Sequence, residues 1–150
     1  MFVMGGKDFK DMFNDLAVSE GFTKNFGGWF KEDNECIIVL DLQKSNFGNY
    51  YELNIKIFIQ GVFGNTYIKN KNLVKKSVGD VFRRQPNEYK NIFDLDIEEH
   101  DNTRKEELSF LFKNFVTPFT NKALTRVGII ELFQQGEVAL LPAVKKELGI

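Results

Sequence analysis

Over residues 52–59 the chain alternates with a period of two: Glu52, Asn54, Lys56 and Phe58 fall on one side, Leu53, Ile55, Ile57 and Ile59 on the other. That period belongs to extended backbone with one face in the core and one face wet. The segment before it, residues 35–44, is also rich in strand formers, and Asn46-Phe47-Gly48-Asn49 between the two supplies turn residues. If those four residues make the turn, Leu42 faces Leu53, Leu40 faces Ile55 and Ile38 faces Ile57. The other side then pairs Gln43 with Glu52 and Asp41 with Asn54. Slipping the register by one residue would turn every isoleucine into water, so one pairing is strongly preferred.

The remaining segments are arranged around this hairpin. Residues 7–20 read as a helix, with Phe9, Met12, Phe13, Leu16 and Ala17 on one stripe and Gly21 placed to end it. Residues 26–31 read as a strand joined to the hairpin through Asp33-Asn34. Gly61, Gly64 and Asn65 predict a bend, residues 69–76 an exposed loop, 78–84 a fourth strand and 92–97 a short edge strand. From Asp101 the period becomes helical, with Thr103 and Glu106 as a capping box or Asp101 or Asn102 as the cap. Leu108, Leu111, Phe112 and Phe115 form its stripe, and Pro118 is expected to stop it. Residues 122–135 predict a further helix, with Leu124, Val127, Ile130 and Phe133 or their neighbours inward and Gly136 after it. A last helix runs from Pro142 toward Gly149. The order is that of an α+β fold: an antiparallel β-meander of four to five strands with an N-terminal helix and C-terminal helices packed on it. No repeat or linker divides the chain, so residues 1–150 are expected to form a single domain.

Composition excludes several classes. Lys and Arg total 20 against 21 acids, so the net charge of −1 exerts no global pull on nucleic acid or anionic lipid. The longest unbroken apolar runs, 36–40 and 138–141, are far below the ~20 residues of a spanning helix. Met1-Phe2-Val3-Met4-Gly5-Gly6 has neither a basic stretch nor an apolar core of a secretory leader. A single cysteine precludes an internal disulfide, and the expected compartment is the cytoplasm. The abundance of Phe, Lys, Asn and Ile is that of an AT-rich bacterial genome.

Chemistry-bearing constellations are few. Asp94, Asp96 and Glu98 share a period of two, but a calcium loop would need glycine where Glu99 stands, so no metal and no cofactor are expected. His100 has acidic neighbours but no paired nucleophile, and Cys36 opens an apolar strand, the setting of an inert thiol. Gly27-Gly28 and the segment 61–64 match no phosphate-cradling pattern. Lys69, Lys71, Lys75, Lys76, Arg83 and Arg84 make a basic stretch broken only by Asp80, and residues 88–107 are acidic. Arg83 or Arg84, at a strand end, could grip a carboxylate or phosphate. Asp41, Gln43, Glu52, Asn54 and Lys56 would lie side by side on the polar sheet face, with Lys44 and Ser45 at its rim. Open, that face is a ligand or protein groove; covered, it is a structural network.

Gly21-Phe22-Thr23-Lys24 after an amphipathic first helix, then Leu42-Gln43-Lys44-Ser45 through Gly48 to Leu53-Asn54, resembles the bacterial domain-of-unknown-function family 4304. Gln43, Lys44, Ser45 and Asn54 match the motif position for position, and the Arg83-Arg84 strand end is compatible with it. The resemblance implies a small cytosolic α+β domain. It implies no established activity, so no catalytic residue is carried over. The expectation is a non-catalytic interaction module, for instance one that neutralises a bacterial toxin, with another protein as partner. The alternative is a small-ligand-binding protein or enzyme in which Asp41, Gln43 and Asn54 orient an anionic ligand held by Arg83 or Arg84. Nucleic-acid binding would require the 69–76 loop and exposed aromatics such as Trp29 or Tyr50 on one face.

Overall fold

A computed structural model describes residues 4–150; the opening Met1-Phe2-Val3, part of the stretch read above for a secretory leader, lies outside the described residues. Helix α1 (Gly6–Ser19) buries Phe9, Phe13 and Ala17 of the predicted stripe, with Met12 and Leu16 partly buried against the same core. It ends in a Schellman motif: Gly21 N–H donates to Val18 and Phe22 N–H to Ala17, with Gly21 at φ 95°, a conformation that only glycine adopts freely. Four strands follow, β1 (Thr23–Asn25), β2 (Gly28–Glu32), β3 (Cys36–Lys44) and β4 (Tyr51–Ile59). The short β1 is an addition to the sequence reading, which began the first strand at Phe26. Phe26 and Gly27 instead form a tight turn with positive φ at both positions, 53° and 81°, the geometry that matches strand twist.

Helix α2 (Lys71–Lys75) and strand β5 (Val81–Arg84) complete the meander, which runs β1-β2-β3-β4-β5 and is antiparallel throughout. The central register is the predicted one: Leu42 opposite Leu53, Leu40 opposite Ile55, Ile38 opposite Ile57, Gln43 opposite Glu52 and Asp41 opposite Asn54. Ile55 and Ile57 are fully buried. One sheet face, carrying Ile38, Leu40, Leu53, Ile55, Ile57 and Val81, packs on α1 and the C-terminal helices to form the main core.

The C-terminal region has α3 (Asp101–Leu111), a π-helical turn over Phe112–Val116, then α4 (Thr117–Lys122), α5 (Arg126–Gln134) and α6 (Pro142–Glu147). No helix among the described residues is long and apolar enough to cross a membrane.

Five local expectations are corrected. Residues 69–76 are not a plain exposed loop: Asn70 caps α2 by accepting from the N–H of Asn72 and Leu73, and Leu73 and Val74 are buried. Residues 92–97 are not a strand. A 3₁₀ stretch, Asn87–Phe93, precedes a single bridge between Tyr50 and Asp94. The buried Arg104 guanidinium takes the Ile92 and Ile97 carbonyls at 2.6 and 2.8 Å, which removes them from strand pairing. Pro118 does not stop the helical run, because the wider π turn before it shifts the carbonyl that its ring would strike. α3 starts after His100 with no side-chain cap, so neither Thr103 nor Asp101 caps it. The helix predicted over 122–135 is interrupted: Thr125 caps α5 through its hydroxyl, and Ile129 and Leu132 turn inward while Val127 is exposed.

Candidate functional site

The second face of the sheet is divided along its strands. At one end Phe30, Ile37, Val39 and Phe58 meet Leu73 and Val74 of α2 in a small apolar core of their own, with Tyr67 against it. At the other end β3, β4 and β5 bring Asp41, Asn54 and Arg84 into one row, and a neighbouring row carries Gln43 and Glu52. α2 and the residues after it stop short of these rows and form a wall beside them. The result is a groove of about 430 Å³ whose floor is the polar end of the sheet and whose wall is Lys75, Lys76, Ser77 and Val78.

Hydrogen bonds fix the floor. Asn54 is 4% exposed; its amide donates to Gln43 Oε1 at 2.9 Å and to Asp41 Oδ2 at 3.4 Å, and its carbonyl oxygen accepts from Arg84 Nε at 3.1 Å. Arg84 Nη2 also reaches Gln43 Oε1 at 3.4 Å. Arg84 is thereby aimed along the groove, and among the described residues its Nη1 has no hydrogen-bond partner. Lys56, 5% exposed, stands at the seam between the apolar and polar ends. Its ammonium donates to the Val74 carbonyl at 2.5 Å and lies 3.8 Å from Asp41. Burial pulls its pKa below the ordinary lysine value, an effect that Asp41 partly offsets.

The charge balance of the groove is positive. Asp41 is the one acid on its floor beside Lys56, and Glu52 at the floor's edge accepts from Gln85 Nε2 at 2.7 Å. Among the described residues, no carboxylate lies within 4.0 Å of Arg84, Lys75 or Lys76.

The residues singled out from sequence separate accordingly. Asp41, Gln43, Asn54 and Arg84 come together. Lys44 borders the groove, but its side chain turns to the opposite face, donating to Asn49 Oδ1 at 3.3 Å and standing 5.8 Å from the ring of Tyr51 in the main core. Ser45 closes the hairpin: its N–H donates to the Tyr50 carbonyl at 2.9 Å and its hydroxyl accepts from Phe47 N–H at 3.0 Å. Arg83 is on the opposite sheet face, paired with Glu137 at 2.8 Å and stacked over Phe115 and Phe119. Lys69 pairs with Glu32 at 3.3 Å, away from the groove wall. Sequence reasoning missed the wall, because Leu73-Val74 between lysines carries no helical period. It also missed Gln85, whose Oε1 accepts the Leu53 N–H at 2.7 Å where β5 ends.

A family model described as Domain of unknown function (DUF4304) matches residues 13–122. The chain belongs to this family. No curated protein and no solved structure matches it. The range that defines the DUF4304 match contains the whole groove, floor and wall, whereas Glu137, the partner of Arg83 on the other face, lies beyond it.

Other reactive groups of this DUF4304 chain are remote from the groove. Cys36 is buried in the main core, and its thiol pKa is pushed up to about 12 by burial and by nearby Glu35, which suits packing and not nucleophilic attack. His100 is exposed at the start of α3. Asp94 and Asp96 stabilise their own loop: Asp94 Oδ1 accepts from Asp96 N–H and Asp96 Oδ2 from Asn49 N–H. Trp29 is buried, with its indole N–H on Asn14 Oδ1 at 2.9 Å, so it offers no stacking surface.

Proposed function

We propose that this protein is a non-catalytic binding module that uses the basic groove to hold an acidic surface of a partner protein. One observation carries the reading: Arg84 is exposed and oriented by Asn54 and Gln43, yet has no carboxylate partner among the described residues, and Lys75 and Lys76 on the groove wall have none either. Converging cations that the fold itself leaves unneutralised attract anions, and an oriented guanidinium adds geometric selectivity for carboxylates. A cytoplasmic setting is part of the proposal, supported by the lone thiol.

Affinity capture with the wild type and with Arg84→Glu tests it. A partner held by the wild type is expected to be lost from the variant and released at about 0.5 M salt, where screening removes most of the attraction. A partner retained equally by Arg84→Glu overturns the reading.

A small anionic ligand is the second reading, favoured by the floor: Asn54 and Lys56 are both more than nine-tenths buried, and a groove of about 430 Å³ suits a small molecule. Saturable binding of inorganic phosphate or citrate in calorimetry, abolished by Arg84→Ala, would move the assignment there.

A further inference from the structure

Among the described residues β5 is the last strand of the sheet and pairs with β4 alone. Which of its backbone groups face outward follows from the hydrogen bonds of β4. Leu53 N–H goes to Gln85 Oε1 and Ile59 N–H to Asp80 Oδ2, both on the β5 side. Backbone groups alternate along a strand, so Ile55 and Ile57 also turn toward β5, where the register sets Arg83 and Val81 opposite them. Phe82 and Arg84 therefore present their N–H and C=O groups to the outer edge, and neither has a backbone partner there among the described residues.

The same two residues supply the side chains of that edge. Phe82 and Arg84 both line the groove, both are exposed, and the guanidinium lies 5.8 Å from the ring; Val78, 63% exposed, continues the apolar strip along the wall. One short stretch of chain thus offers unpaired backbone groups, an apolar surface and an unneutralised cation in register. Exposed edges of this kind accept an added strand, with main-chain bonds for affinity and alternate side chains for selectivity.

We infer that the partner binds by strand addition: an extended acidic segment joins β5 as a sixth strand, with an apolar residue over Phe82 and, two residues along, a carboxylate on Arg84. Charge complementarity selects an acidic segment, and the period of two selects its spacing. The inference rests on the groove being the recognition surface, and specifies how that surface is used.

The probe is an acetylated, amidated peptide, Thr-Val-Thr-Glu-Thr-Val-Thr, which places its valines and glutamate on one face. Binding is expected to slow hydrogen exchange at the Phe82 and Arg84 amides at least tenfold and to leave Val81 and Arg83 unchanged. A peptide of the same composition with valine and glutamate adjacent should bind at least tenfold more weakly. Shifts of the Asn54 and Arg84 side-chain resonances without slowed exchange at the two amides would overturn strand addition while sparing the groove reading. Equal binding of the two peptides would overturn it as well. No change at either place contradicts strand addition and the groove together.

Discussion

Ile37, Val39 and Phe58 lie on the same sheet face as Asp41, Gln43 and Asn54, only a few residues away along the same two strands. The first group is sealed under α2, with Ile37, Val39 and Phe58 at most 1% exposed; Gln43 of the second group, and Arg84 of β5 beside it, face solvent. The covering element is a single turn of helix whose only buried side chains are Leu73 and Val74, and it covers only the apolar end. A sheet face can therefore be half core and half surface, with the boundary set by where two apolar residues land on it. The buried Lys56 ammonium, bonded to the Val74 carbonyl, marks that boundary.

Substitutions at the two ends should behave differently. The largest effect is expected for Phe58→Ala, which empties the centre of the small core and should lower unfolding free energy by about 3–5 kcal/mol in urea denaturation. A loss below about 1 kcal/mol would mean that α2 does not seal this end. Gly28→Ala comes next. An added methyl would sit 2.9 Å from a Val74 methyl and 3.0 Å from the Leu40 carbonyl oxygen, so α2 or the strand must shift, at about 1–3 kcal/mol.

The adjacent arginines sharpen the comparison between faces. Arg83→Ala removes the Glu137 pair and the contact with two rings, and should cost about 1 kcal/mol in stability while leaving partner binding intact. Arg84→Ala should weaken partner binding at least ~tenfold and cost about 1 kcal/mol in stability, because the buried Asn54 carbonyl oxygen loses its donor. Exchanged outcomes would put the recognition surface on the helical side.

The smallest effect concerns Lys56 and is read from pH. Its folded pKa is below the ordinary 10.5, so as pH rises the folded protein releases this proton before the unfolded chain does. Below the folded pKa the buried charge opposes folding; between the folded pKa and 10.5, stability from this group rises with pH. Lys56→Met should flatten that alkaline rise in chemical denaturation. Lys31, also lowered by burial, acts in the same direction, whereas Cys36, raised to about 12, makes stability fall over the same range, so the Lys56 contribution is read as the difference between wild type and variant.

The central hairpin was legible because its residues obey one period and its turn residues fix one register: Leu53 through Ile59 inward, Asp41 opposite Asn54. The groove floor was legible for the same reason. Alternation alone also separates Arg83 from Arg84, since neighbours in a strand face opposite ways. What stayed hidden depends on tertiary contacts without a local period. Leu73-Val74 becomes a cover only where the chain folds back over Val39 and Phe58, and Lys75 and Lys76 become a groove wall only then. Ile92–Ile97 alternates like a strand, but a buried arginine eleven residues beyond Phe93 takes its carbonyls. Pro118 reads as a stop unless the π turn before it is known.

The division of one sheet face into a sealed end and a recognising end is tested most directly by mapping amide and side-chain resonance shifts as the captured partner is titrated in. The account predicts shifts at Gln43, Asn54, Lys75, Lys76 and Arg84, with Ile37, Val39 and Phe58 unmoved. Shifts centred on Arg83, Tyr89 and Phe115, with Arg84 and Asn54 silent, would contradict it.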